Sequence, residues 1–183
     1  MFFQQREGND EQAELAKQML QAAASIETDA TRNDNGLELL VRINNTGAGH
    51  KIPTGVTYIR KIWLEVTVKD DSDQVLYTSG HPIEGNHIDP NAVFYRLIFK
   101  DADGNLTPKS WVAHEIAYDR RIPAKGSDEQ IFNIPLINAT DGDYDVTVRL
   151  MYRSMSQAAA NELGIENIEV PSIEMARAEL KTK

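Results

Sequence analysis

The sequence predicts a mainly-β fold, an antiparallel β-sandwich entered through one N-terminal helix. Three observations carry this expectation. Several segments alternate apolar and polar side chains with a period of two, turn-forming residues separate them at fairly regular spacing, and no helical pattern is interleaved as a parallel sheet would need. The 183 residues suffice for one domain with a core. With 41% hydrophobic and 26% charged residues, the chain is too apolar to be disordered.

The first element, over residues 9–26, reads as a helix. Asn9 or Asp10 can cap it, acids fill its first turn, and Leu15, Ala16, Met19, Leu20 and Ala23 form a narrow apolar stripe. Such a face suits packing on a larger neighbour. The segment TDATRNDNG, residues 28–36, reads as a polar connection ending in a turn. From residue 37 the period becomes two, with Leu37, Leu39, Val41 and Ile43 on one face. A second strand spans residues 60–70, where Ile62, Leu64, Val66 and Val68 oppose Lys61, Trp63, Glu65, Thr67 and Lys69. It turns through DDSDQ and returns as VLYTSG. Further strands are expected at residues 93–99, 111–118, 129–134 and 144–152, joined by DADGN, RIPAKGSD and NATDGD. The pattern fits an immunoglobulin-like sandwich. Two C-terminal stretches, SMSQAAANELG and PSIEMARAELK, read as short helical segments.

The formal net charge of −9 opposes binding to nucleic acid or anionic lipid, and no apolar run is long enough to span a membrane. The absence of cysteine removes disulfides, thiol nucleophiles, zinc–thiolate sites and covalent haem c attachment from these residues. Neither a nucleophile elbow nor a phosphate loop is present, and no catalytic residue is assigned.

Histidines come first among metal ligands. His81 and His87 flank the loop HPIEGNH, which can bring two imidazoles together with Asp89 as a third ligand, although loop histidines are commonly polar surface. Asp101, Asp103 and Asn105, and again Asp141, Asp143 and Asp145, invite a calcium reading. Both lack the glycine and glutamate of an EF-hand loop and suit hairpin turns better. The remaining feature is GAGHKIPTGV, residues 47–56. Pro53 restricts Ile52, and Gly47, Gly49 and Gly55 permit unusual backbone, so His50 is presented on a stiff, shaped loop. The residues alone leave open a plain crossover and a ligand role for His50.

The run N-N-T-G-A-G-H-K-I-P-T-G, followed by Arg60 and the strands KIWLEVTVKD and VLYTSG, resembles the haem-free C-terminal domain of bacterial multihaem c-type cytochromes. The signature loop comprises Gly49, His50, Pro53, Thr54, Gly55 and Arg60. Later signals keep the family's order: Tyr95, DADGN, Trp111, then AYDRRIPAKGS with Asp119, Arg121, Ile122, Pro123 and Gly126, and finally VTVRLMYRS. The resemblance covers roughly residues 10–175. It implies a lead-in segment over residues 1–30 and a sandwich over residues 31–183, with haem c held in a preceding CxxCH-bearing region that this sequence lacks. It also implies a non-catalytic, accessory role in electron transfer at the periplasm or cell surface, with that multihaem region as the partner. His50 is then a haem contact, donating to a propionate or a backbone group ahead of serving as an axial ligand. Two rivals stand beside this reading: an extracytoplasmic sandwich that binds a sugar or protein through HPIEGNHIDPN, and a histidine metal site.

Overall fold

The computed structural model describes residues 9–56, 59–136, 142–165 and 168–182. Helix α1 (Asp10–Gln21) is capped by Asn9, whose side chain accepts a hydrogen bond from the Gln12 amide. Asp10 and Glu11 lie in its first turn, where they complement the helix dipole. The helix stops five residues short of the expected end. The chain then enters β1 (Ser25–Asn33), which pairs with β2 (Gly36–Asn44) from Ser25↔Asn44 to Asn33↔Gly36. The expected polar connection is therefore mostly strand, and β1 runs through residue 30, where the sandwich was expected to begin. Its half-buried positions are Ser25, Ile26, Thr28, Ala30 and Arg32, all but Ile26 too small or too polar to show the alternation. Arg32 works as an inward residue because its guanidinium lies 5.1 Å over the Tyr144 ring.

The remaining strands are β3 (Lys61–Asp70), β4 (Val75–Ser79), β5 (Pro82–Ile83), β6 (His87–Ile88), β7 (Phe94–Tyr95), β8 (Leu97–Lys100), β9 (Leu106–Thr107), β10 (Glu115–Asp119), β11 (Ser127–Ile134), β12 (Tyr144–Arg153) and β13 (Ile173–Thr182); helix α2 (Gln157–Glu162) precedes the last. One sheet has the order β1-β2-β11 and the other β13-β12-β3-β4, with β7 also on β3. All these pairings are antiparallel. Between the sheets lies one core, with Leu37, Leu39, Val41 and Ile43 of β2 facing Leu64 and Val66 of β3 and Val148 and Leu150 of β12. The sandwich expected from the period of two is the observed architecture.

Three local expectations are corrected. PSIEMARAELK is strand β13 and not a helix, although Glu, Met, Ala, Leu and Lys favour helices. Pairing along β12 from Tyr144↔Thr182 to Tyr152↔Ile173, and burial of Met175, override that propensity. Trp111 is not in a strand: residues 110–112 form a 3-10 turn that leaves it 63% exposed, and β10 starts only at Glu115. Residues 93–99 split at Arg96, β7 pairing with β3 and β8 joining a small sheet of order β10-β8-β9.

The outer face of β3 is also covered. Trp63 and Glu65, expected on a polar face, are buried. Trp63 packs with Ala92 and Met151, its indole N–H donates to the Gly80 carbonyl at 2.9 Å, and Glu65 pairs with Arg149 at 2.6 Å. The segment that covers this face includes HPIEGNH, here the β5–β6 hairpin.

Candidate functional site

The signature loop follows β2 and is shaped by its own polar groups. Asn45 is buried, and its side chain works in both directions: Oδ1 accepts from the Ala48 amide at 3.1 Å and Nδ2 donates to the His50 carbonyl at 2.8 Å. Gly47 is pressed against the end of α1, its amide donating to the Ala23 carbonyl at 3.2 Å. A Cβ at this position would lie 2.0 Å from the Ala22 carbonyl oxygen, so only glycine fits. Further on, Gly55 takes a φ of +72°, and Arg60 donates to the Thr54 carbonyl at 2.9 Å from beneath it. Of the signature loop's residues, Arg60 therefore closes the loop that begins at Gly49.

The two sequence signatures, far apart in the chain, meet here. Ile52 and Ile122 form an antiparallel bridge with amide-to-carbonyl distances of 3.0 and 2.8 Å, and both are buried. Beside them Lys51 donates to Asp119 Oδ2 at 2.9 Å. Asp119 also receives Arg121 in a fork, Nε to Oδ1 at 2.8 Å and Nη2 to Oδ2 at 2.7 Å. The Arg121 hydrogen bond, with that of Lys51, holds the Asp119 carboxyl well below the usual carboxylate range, against the opposing effect of burial. Pro123 opens the turn that Gly126 closes, the Gly126 amide donating to the Pro123 carbonyl at 3.2 Å, and the Gly126 carbonyl in turn accepts from Asn45.

Between this loop and the end of α1 lies a groove of about 350 Å³, lined by Met19, Ala22, Ala23, Ala48, His50 and Ile52 among others. It is apolar apart from the imidazole, and Met19 stands 67% exposed at its edge. His50 is exposed, and its Nδ1 lies 3.1 Å from the Lys51 carbonyl. A carbonyl only accepts, so Nδ1 carries the hydrogen and Nε2 is the lone-pair nitrogen of the neutral ring.

The loop histidines have different contacts. His81 Nε2 lies 2.9 Å from the Thr67 hydroxyl, while the His87 ring lies against Gly85. Asp89 spends its carboxylate on the amides of Gly80 and Asn91. Among the described residues, no group of three or more His, Asp or Glu side chains is placed to hold a metal ion. Asp101 caps its own turn, accepting from the amides of Asp103 and Asn105, which is the hairpin chemistry the sequence favoured there. Asp141 lies outside the described residues.

Sequence reasoning missed a buried polar cluster on the outer face of the β3–β12 pair. Arg153, only 1% exposed, donates to Ser172 Oγ at 2.8 Å and to Asn86 O and Oδ1 at 2.5 and 2.7 Å. Asn86 donates to Gln157, which also accepts from the Val170 amide. Nothing in the local spacing signals this, because the partners come from four separate segments.

No known family's sequence model and no curated protein matches the chain. A solved structure does: a penta-haem cytochrome c552 from Thermochromatium tepidum matches with a TM-score of 0.70 and 21% identity, covering 91% of this chain. The likeness is one of fold. This chain corresponds to 41% of the length of that cytochrome. Having no cysteine, it attaches no haem c through thioether bonds. Among the described residues no helix is long and apolar enough to cross a membrane.

Proposed function

We propose that this chain is an extracytoplasmic, haem-free accessory domain that packs against a multihaem c-type cytochrome region and supports its electron transfer. The observation that carries the reading is the pairing of the two signature segments through Ile52 and Ile122 beside an apolar groove, in a chain whose fold matches part of a penta-haem cytochrome. A structural crossover alone needs no exposed Met19 and Ala22 beside a half-buried Ala48 around an imidazole.

The groove suits the edge of a haem and not a whole one. It is open, small-walled and apolar, matching the rim of a macrocycle, with a thioether and an imidazole at hand. Lys51 and Arg121 against one Asp119 leave this trio one charge positive, which suits a propionate. Bound haem would supply the electron-transfer chemistry; the chain's own residues would exclude water and lower the local dielectric, which shifts a haem potential. The hydrogen on Nδ1, spent on the Lys51 carbonyl, leaves Nε2 as the nitrogen that would face a haem in either role expected for His50. A neutral His50 offers Nε2 as a ligand nitrogen, and only the imidazolium offers a second donor to a propionate.

His50→Ala in the haem-bearing assembly tests this directly. The expected result is a changed spectrum or potential for one haem. Spectra and potentials unchanged at every haem would remove His50 from the haem layer and leave it as a loop residue.

A further inference from the structure

Independently of the haem-facing reading, we propose that β10 is a docking edge, to which an extended segment of a different polypeptide, carrying acidic and apolar side chains, adds as a further strand. Every residue from 109 to 116 is exposed. Five large apolar side chains on or beside the small sheet stand open to solvent: Leu106, Trp111, Val112, Ile116 and Tyr118, each between 40% and 64% exposed. Large apolar residues scattered singly over a surface need no explanation, whereas this many within residues 106–118 point to an interaction surface.

The main chain is as open as the side chains. In the order β10-β8-β9, β10 is an edge strand, and among the described residues it pairs only with β8. Ile116 lies opposite Phe99 and Tyr118 opposite Ile98. Phe99 and Ile98 are consecutive in β8 and point to opposite faces, so β10 offers an exposed apolar side chain on each face. An added strand gains main-chain hydrogen bonds along the edge and an apolar contact on either face. The bulge at Ala117 bends this edge, so the added segment pairs over a short stretch and side chains supply the rest.

Charge selects the occupant. Over residues 106–126 the chain carries Lys109, Arg120, Arg121 and Lys125 against Glu115 and Asp119, two charges positive in a chain of net charge −9. Both acids are already engaged, Glu115 by Lys100 at 2.8 Å and Asp119 by Lys51 and Arg121. Lys109 and Arg120 lie 6.0 Å over the Trp111 and Tyr95 rings, and among the described residues neither they nor Lys125 form an ion pair. The edge therefore favours acidic side chains. A second copy fits poorly, because antiparallel pairing of β10 with itself about Ala117 sets Glu115 against Asp119 and His114 against Arg120.

The test is an NMR titration of the full chain with the peptide acetyl-Glu-Val-Glu-Ile-Glu-Val-Glu-amide at low ionic strength. A short peptide of this kind binds at about 0.1–1 mM. The expected result is saturable shifts centred on the amides of residues 111–119, with affinity at least about fivefold weaker in Trp111→Ser and in Ile116→Ser. Both side chains are more than half exposed, so both variants are expected to fold. The peptide with lysine in place of each glutamate should not bind, and a version N-methylated at alternate residues, unable to donate to the edge, should bind at least about tenfold more weakly. Non-saturating shifts, shifts centred elsewhere, equal binding of the lysine or N-methylated peptide, or an unchanged affinity in either variant would each overturn the proposal. So would a concentration-dependent dimer of the chain alone, seen by sedimentation and abolished in Ile116→Ser, since a second copy would then cover β10.

Discussion

Asn45 and Asp119 hold the signature loop, and their contributions separate by chemistry. Asn45 is buried with both ends of its amide engaged, so Asn45→Ala strands the Ala48 amide and the His50 carbonyl. The expected cost is about 1–3 kcal/mol, read as a lower urea midpoint with an unchanged slope. Asp119 acts through charge. Its folded pKa is depressed, so its contribution is present above the unfolded value of about 3.9 and is lost as pH falls through the folded value. Asp119→Asn is therefore expected to lower stability by about 1–3 kcal/mol at neutral pH, with the difference from the parent chain closing as pH falls toward about 2. Thermal melts of both proteins across that range measure it; a gap that stays constant with pH would contradict the assignment. The sequence displayed these residue types but not their partners, since Lys51 reaches Asp119 across 68 positions.

At the scale of elements, what the sequence revealed depended on side-chain size. Strands β2, β3 and β12 were legible because large apolar residues alternate with mostly polar ones along them. Strand β1 was not, because Thr28, Ala30 and Arg32 take the inward positions. Strand β13 was hidden by residues that prefer helices in isolation, and only its register with β12 turns them into strand. Its place in the core is testable: Met175, 3% exposed, is expected to cost about 2–5 kcal/mol on replacement by alanine, measured by denaturant unfolding. A weakly anchored helix there would lose little. The joint between α1 and the loop makes a second prediction. Gly47→Ala places a Cβ against the Ala22 carbonyl, so α1 must shift; the expected signs are faster amide exchange at Ala22 and Ala23 and a loss of about 1–3 kcal/mol. Unchanged exchange would mean that the helix end is not fixed by this contact.

For the whole molecule, the sandwich brings remote segments into two distinct places. In one the two signatures close against each other beside an apolar groove; in the other, Arg153 organises a polar cavity from β12, the β5–β6 hairpin and α2. The first place was half legible, since both signatures stood out in the sequence while their contact did not. The second was not legible at all, because Lys61 and Arg153 become neighbours only through strand register. The metal reading of His81, His87 and Asp89 looked local in sequence, yet the hairpin sends its groups to Thr67, Gly85 and backbone amides. The central claim is that this fold serves a haem-bearing partner region, and it is tested most directly on the native protein. Isolation from its source cells, followed by intact mass and haem staining, should find these residues covalently joined to, or in stoichiometric complex with, a polypeptide carrying several haem c groups. A native polypeptide of about 20.5 kDa, free of any haem-bearing partner under conditions that preserve complexes, would contradict it.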